Sequence, residues 1–168
     1  MVKDNKILNE KQFSEAIAML PLISIDFCLV YKQKILLGQR NNEPAKNFLF
    51  TPGGRIRKNE PYVSALERIF FDELNTILVC QDKLRLMGVW DHFYDQSAFD
   101  KNISTHYINM PYLYCLSKKE FDNLDLLHGA DEQHLKWIWI HMDNALADQR
   151  VHKYIKKNIE WILKNIYD

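Results

Sequence analysis

A chain of 168 residues, 47% apolar and 12% aromatic, can bury one sizeable core and is too short for two comfortable domains. Its 22 basic and 22 acidic residues cancel and no long run of one sign occurs. That excludes an electrostatic footprint for nucleic acid or an anionic membrane and leaves any phosphate recognition to a local site.

The elements follow in chain order. Phe13, Ile17 and Leu20 at helical spacing predict a short leading helix over 10–20, stopped by Pro21. From Leu22 to Tyr31 the period becomes two: Ile23, Ile25, Phe27, Leu29 and Tyr31 share one side, and Ser24, Asp26 and Cys28 the other, which predicts a strand with one wet or functional face. Strands are expected over 35–40 and 48–51, divided by the turn-rich Asn41-Asn-Glu-Pro44. A helix starting near Pro61 carries the stripe Val63, Leu66, Ile69, Phe70 and Leu74. Longer strands over 84–93 and 105–116 flank a polar loop, a last strand covers 135–140, and Val151, Tyr154, Ile155, Ile159, Ile162, Leu163 and Ile166 mark an amphipathic C-terminal helix. After the leading helix the order β-β-β-α-β-β-β-α predicts a mixed sheet covered by helices, one domain over 1–168. Cys28, Cys80 and Cys115 lack metal-ligand or redox spacing. With no signal-peptide core and no apolar run near the roughly twenty residues that span a bilayer, a soluble cytoplasmic protein with reduced thiols is expected.

Chemistry concentrates between Thr51 and Glu73. The loop Thr51-Pro-Gly-Gly-Arg55 lets a backbone approach a ligand closely. Positions 69 and 73 lie on one helical face, where two glutamates would hold hard divalent cations against phosphate oxygens. Ile69 removes one of them, leaving Glu73 with Asp72 about a quarter turn away, a set suited to a single Mg²⁺ or Mn²⁺. Two carboxylates on a helix are by themselves more often a solvated face, but Glu60 and Arg68 at fixed spacing beside the glycine loop favour a site.

That spacing resembles the Nudix hydrolase pattern: Gly54, five residues, Glu60, seven residues, then Arg68 opening the Arg-Glu-apolar-any-Glu-Glu-any-Gly block, with Ile69, Asp72 and Asn75 as departures. Further blocks are similar to the GDP-mannose mannosyl hydrolases within that family: Pro21-Leu-Ile-Ser-Ile-Asp-Phe27, Leu36-Leu-Gly-Gln-Arg40, Phe50-Thr-Pro-Gly-Gly-Arg55, Gly88-Val-Trp-Asp-His-Phe-Tyr94, Thr105-His-Tyr107 and Asp131-Glu-Gln-His134. The missing acid at Ile69 and the Asp-Glu-Gln-His block are marks of that subfamily. The resemblance implies an α/β Nudix fold, a mixed sheet sandwiched between helices, and a homodimer. It also implies attack of water on the anomeric carbon of GDP-mannose, or GDP-glucose, releasing GDP and free hexose with inversion.

On the same resemblance, Arg40, Arg55 and Arg68 contact the diphosphate, Tyr107 donates to the leaving group, and Asp26 and His92 contact the sugar. The Gly53 carbonyl, Glu73 and the Gln133 side chain would hold Mg²⁺, for which Mn²⁺ can substitute, and His134 would be the general base. Taken singly, His92 reads as an interior histidine and Asp26 as a local cap; His106, His128, His141 and His152 receive no role, and Trp137-Ile-Trp139 reads as core. Two alternatives stand beside this expectation: a conventional nucleoside diphosphate-sugar pyrophosphatase, and an inactive domain that only binds nucleotide sugars.

Overall fold

Strand β1 (Leu22–Tyr31) organises the molecule, a computed structural model that describes residues 8–78, 81–124 and 134–167, without the side chains of 134 and 135. On one side β1 runs parallel to β7 (Thr105–Cys115) over nine residue pairs, from Leu22↔Tyr107 to Val30↔Cys115. On the other side it pairs with β2 (Lys34–Arg40) only beside the hairpin, at Val30↔Ile35 and Tyr31↔Lys34. Beyond that point the two strands have different neighbours. β1 takes β4 (Gly53–Arg55), and β2 takes β3 (Leu49–Phe50) and β8 (His134–His141). The candidate site occupies this parting of β1 from β2.

The predicted strand over 84–93 is two strands, β5 (Arg85–Leu86) and β6 (Trp90–Tyr94), both antiparallel to β7. Between them the Met87 amide donates to the carbonyl of Pro111, at 3.0 Å. Pro111 has no N–H to return, so the ladder breaks there.

Helix α1 (Glu10–Met19) starts in a capping box between Asn9 and Gln12. Helix α2 (Tyr62–Leu74) ends at Asn75 in the left-handed region, φ 48°. Asn is the residue besides Gly that takes this cap readily, so the departure from the motif's terminal Gly leaves the helix end intact. Helices α3 (Lys118–Asn123), capped by Ser117 and Glu120, α4 (Met142–Ala147) and α5 (Lys153–Ile162) are the other α-helices among the described residues.

Both faces of the sheet are buried. Ile25, Phe27, Leu29 and Leu36 pack under α2 through Ala65, Leu66, Ile69, Phe70 and Leu74. Cys28, Val30, Ile35 and Leu37 pack under α4 and α5 through Met142, Ala145, Ile155, Ile159 and Ile162. The second face of β1 is therefore not wet at Cys28, which is fully buried; it stays polar only at Ser24 and Asp26. Alternation alone could not reveal this, because a strand covered on both sides keeps polar residues only where a cavity meets it. Among the described residues no helix is long and apolar enough to cross a membrane.

Candidate active site

The two glycines of the loop are dictated by what lies on either side of it. A β-carbon on Gly53 would collide with the Asp26 carboxylate and lie 2.7 Å from the Ile25 carbonyl oxygen. One on Gly54 would come within 3.2 Å of the Ile69 side chain. At Gly53 strand β4 thus fits against β1 only without a side chain, while at Gly54 a β-carbon would press on Ile69, the floor beneath the strand, 1% exposed in the apolar core. One helical turn further on, Glu73 is 2% exposed, a carboxylate on an otherwise apolar inner face.

Arg68 ties this unit together. Its Nε donates to Glu60 Oε1 at 2.6 Å and its Nη2 to Glu60 Oε2 at 2.9 Å and to the Arg55 carbonyl at 2.8 Å, while Nη1 reaches the exposed Asp72 at 3.1 Å. The Arg57 amide also donates to Glu60, at 2.8 Å. A planar guanidinium spanning a carboxylate and a carbonyl fixes the loop from Arg55 to Glu60 against the start of α2. The Glu60 carboxyl is accordingly held below its usual range, by Arg68 above all.

Beside this unit opens a cavity of about 470 Å³, lined among others by Ser24, Asp26, Arg40, Gly53, Gly54, Arg55, His92, Tyr94, Tyr107 and Asn109. β1 supplies Ser24 and Asp26, the end of β2 Arg40, β4 Arg55, β6 His92 and Tyr94, and β7 Tyr107 and Asn109. Phe13 of α1 and Phe99 add an apolar side, in edge contact at 5.5 Å, and the Arg55 guanidinium lies 3.8 Å from the Phe13 ring centroid. Arg40 lies 5.5 Å from the Phe50 ring.

Electrostatics divide the lining. Burial pushes the Asp26 carboxyl up to about 7, with Glu73 adding to the push and Asn109 and Arg40 resisting it. Burial also raises Tyr107 and Tyr94 above the ordinary tyrosine value and draws the Arg55 guanidinium down, Tyr107 pushing the latter back. His92 is drawn down to about 3 by burial, then by His152 and Lys157, so it stands neutral with one donor and one acceptor nitrogen.

The donor set fits a hard divalent cation. Among the described residues no cluster of three His, Cys, Asp or Glu is placed to hold a metal ion, so a cation here would rest on the single Glu73 carboxylate with backbone and amide oxygens, its charge also felt by the buried Asp26. Asp26 Oδ2 is buried without a hydrogen-bond partner among the described residues, and Gly53 lies directly against the same carboxylate. A positive charge would let both buried acids stay ionised.

Asp26, Arg40, Gly53, Arg55, His92 and Tyr107 thus meet in one cavity, with Glu73 buried close enough to act on Asp26. Arg68 lies elsewhere, engaged by Glu60, Asp72 and the Arg55 carbonyl and absent from the cavity lining. Gln133 lies outside the described residues; the backbone of His134 pairs with Arg40 across β8 and β2. Ser24 stands on the face of β1 expected to be wet or functional, while Asn109, Tyr94, Phe13 and Phe99 join the lining without having been assigned to a site from the sequence. The period-two pattern of β7 places Tyr107 and Asn109 on one face, a signal that could have found Asn109.

The NUDIX domain family matches residues 22–162. A curated relative, the low-salt glycan biosynthesis protein Agl8 of Haloferax volcanii, is 34% identical over 125 residues, 74% of this chain and 74% of that protein. A solved MutT NUDIX hydrolase from Burkholderia pseudomallei superimposes with a TM-score of 0.66 at 21% identity, covering 85% of this chain and 98% of its own. The NUDIX domain of Shewanella oneidensis NrtR, complexed with ADP ribose, gives 0.63 at 15% identity, covering 95% and 99%. At these identities the two structures establish a shared fold.

Proposed function

The chain belongs to the NUDIX domain family, and from that premise we propose that it hydrolyses a GDP-hexose, foremost GDP-mannose, to GDP and free sugar by water attack at the anomeric carbon with inversion. The observation that carries this reading is Ile69. Its side chain fills the core under Gly54, so α2 offers one buried carboxylate, Glu73, where a metal cluster at phosphorus would call for more. A relative described by glycan biosynthesis supports the sugar side of the reading.

In this reading Arg40 and Arg55 neutralise the diphosphate as the glycosidic C–O bond breaks and its electron pair passes to phosphate oxygen. Tyr107, kept protonated by burial, donates a hydrogen bond to the same leaving group. His134 takes the proton of the attacking water, and Asp26 and His92 hold the sugar. A divalent cation, Mg²⁺ or Mn²⁺, held by the Gly53 carbonyl, Glu73 and the Gln133 side chain, would supply further positive charge against the diphosphate. Arg68 contributes by holding the Arg55 to Glu60 loop rather than through direct contact with phosphate. A single displacement from the face opposite the leaving group gives inversion.

Assembly as a homodimer belongs to the same proposal, with Met19, Leu20 and Ile23 leaving apolar surface exposed around the end of α1. A concentration-independent monomer by sedimentation would remove that part. The bond broken is tested by turnover in oxygen-18 water with Mg²⁺, followed by phosphorus NMR and mass spectrometry. Label in the free hexose with unlabelled GDP is expected. Label in a phosphate product would make the protein a pyrophosphatase, and binding without turnover would make it a nucleotide-sugar receptor.

A further inference from the structure

His92 has protein cavities on both sides. It lines the main cavity and also a second one of about 420 Å³, bounded by Val89, Trp90, Asp91, His92, Tyr154 and Lys157. Tyr154, near the start of α5, belongs to the second cavity and not to the first. Its ring lies flat on the His92 imidazole, with centroids 3.8 Å apart and planes 3° from parallel.

The tyrosine is itself held in place. Its hydroxyl accepts from the Phe93 amide at 2.7 Å and donates to the Phe93 carbonyl at 3.0 Å, so both polar groups of the residue after His92, on the outer edge of β6, end on one oxygen. A buried phenol clamped at two points cannot slide along the ring it covers. Tyr94 meets both rings edge-on, at 6.4 Å from His92 and 5.6 Å from Tyr154, and borders the main cavity. Among the described residues no hydrogen bond reaches the His92 ring, so these aromatic contacts set its plane.

We infer that Tyr154 is a positioning residue for sugar recognition: clamped to the backbone of Phe93, it fixes the His92 imidazole from behind and so sets which ring edge meets the sugar. The inference rests on the reading of His92 as a sugar contact. It brings α5, an element outside the glycine-loop motif, into the specificity of the site.

The full-length protein and its Tyr154→Leu, Tyr154→Phe, His92→Ala and Tyr154→Leu/His92→Ala variants test it. The readouts are the nitrogen-15 signals of the His92 ring without ligand, and calorimetric affinities for GDP-mannose and for GDP. Tyr154→Leu should move the His92 signals and weaken GDP-mannose by roughly 3- to 10-fold, the span of one aromatic contact, while GDP binds as before. Tyr154→Phe, which keeps the ring and loses the clamp, should restore most of the affinity and still shift the signals slightly. The double variant should bind no more weakly than His92→Ala alone.

Unmoved His92 signals in both Tyr154 variants would overturn the inference, whatever the substrate. So would additive losses in the double variant, or equal weakening of GDP and GDP-mannose. A wild-type protein that binds GDP-mannose no more tightly than GDP would instead overturn the sugar reading itself, and that result needs no variant.

Discussion

Helices α2 and α5 cover opposite faces of one sheet, and each lays an apolar stripe on it. On α2 the stripe Ala65, Leu66, Ile69 and Phe70 gives way to Glu73, so the helix delivers a charge to the buried end of the site. On α5 the stripe Ile155, Ile159 and Ile162 begins with Tyr154, so the helix delivers a ring that touches the site from behind. The difference lies in what each position tolerates. A buried carboxylate needs a fixed backbone frame around it, and Arg68, Glu60 and the glycine loop give α2 one. A stacked ring needs only shape and two hydrogen bonds.

The largest expected effect comes from forcing α2 to carry two charges. Ile69→Glu would place a carboxylate among Ile25, Phe27 and Phe70, one turn from Glu73, and should lower stability by about 3–5 kcal/mol, the range for an uncompensated buried charge. Urea unfolding of the metal-free protein measures it. A variant as stable as wild type would break the comparison, because the inner face of α2 would then accept charge wherever it is offered.

Next in size is Glu73→Gln, which should cut turnover by more than about 100-fold, beyond the 10- to 100-fold typical of removing a group that only orients a metal ligand. Asp72→Asn is the control. Its carboxylate is exposed and among the described residues meets only Arg68, so stability should change by less than about 0.5 kcal/mol and turnover little. Equal losses in the two variants, followed by Mg²⁺ titration of turnover, would move the charge delivered by α2 to its outer face.

The same contrast explains what was legible in the sequence. The strands β1, β2 and β7 and the helices α1, α2 and α5 could be read because their periodicity faces a core, and Gly53, Gly54, Glu60, Arg68 and Glu73 because diphosphate chemistry imposes spacing. Arg68 was legible as a motif position, yet its engagement by Glu60 and the Arg55 carbonyl depends on how the loop turns back, which spacing does not encode. Strand β4 was hidden because Gly53-Gly54-Arg55 has little strand propensity; its pairing with β1 is compatible with the buried Asp26 because position 53 is glycine. Helix α3 carried a readable signal in Ser117 and Glu120, a capping box. Tyr154 carried none, since one aromatic at the head of an apolar stripe looks like any core residue until the ring it covers is known.

The smallest expected effect sharpens the α5 side. His152 caps α5 with Nδ1, which accepts from the Tyr154 amide at 3.3 Å, so the imidazole must be neutral there. Burial, then Lys153 and Arg40, draws it down to about 4, below its ordinary 6.5. Between those values the unfolded chain binds the proton and the folded chain does not. The contribution of His152 is therefore complete above about pH 6.5 and is lost as pH falls toward 4. Asp26, pushed up to about 7, acts with the opposite sign across the same window, because there the folded chain holds the extra proton. The readout must be the difference between wild type and His152→Asn, a variant that keeps a capping acceptor and cannot titrate. Thermal melts of the chelated proteins at pH 7 and pH 5 should show wild type losing a few degrees more than the variant. Equal losses would mean that His152 titrates alike folded and unfolded, and the start of α5, with Tyr154 upon it, would then have to be held by the Phe93 clamp and the aromatic contacts rather than by its cap.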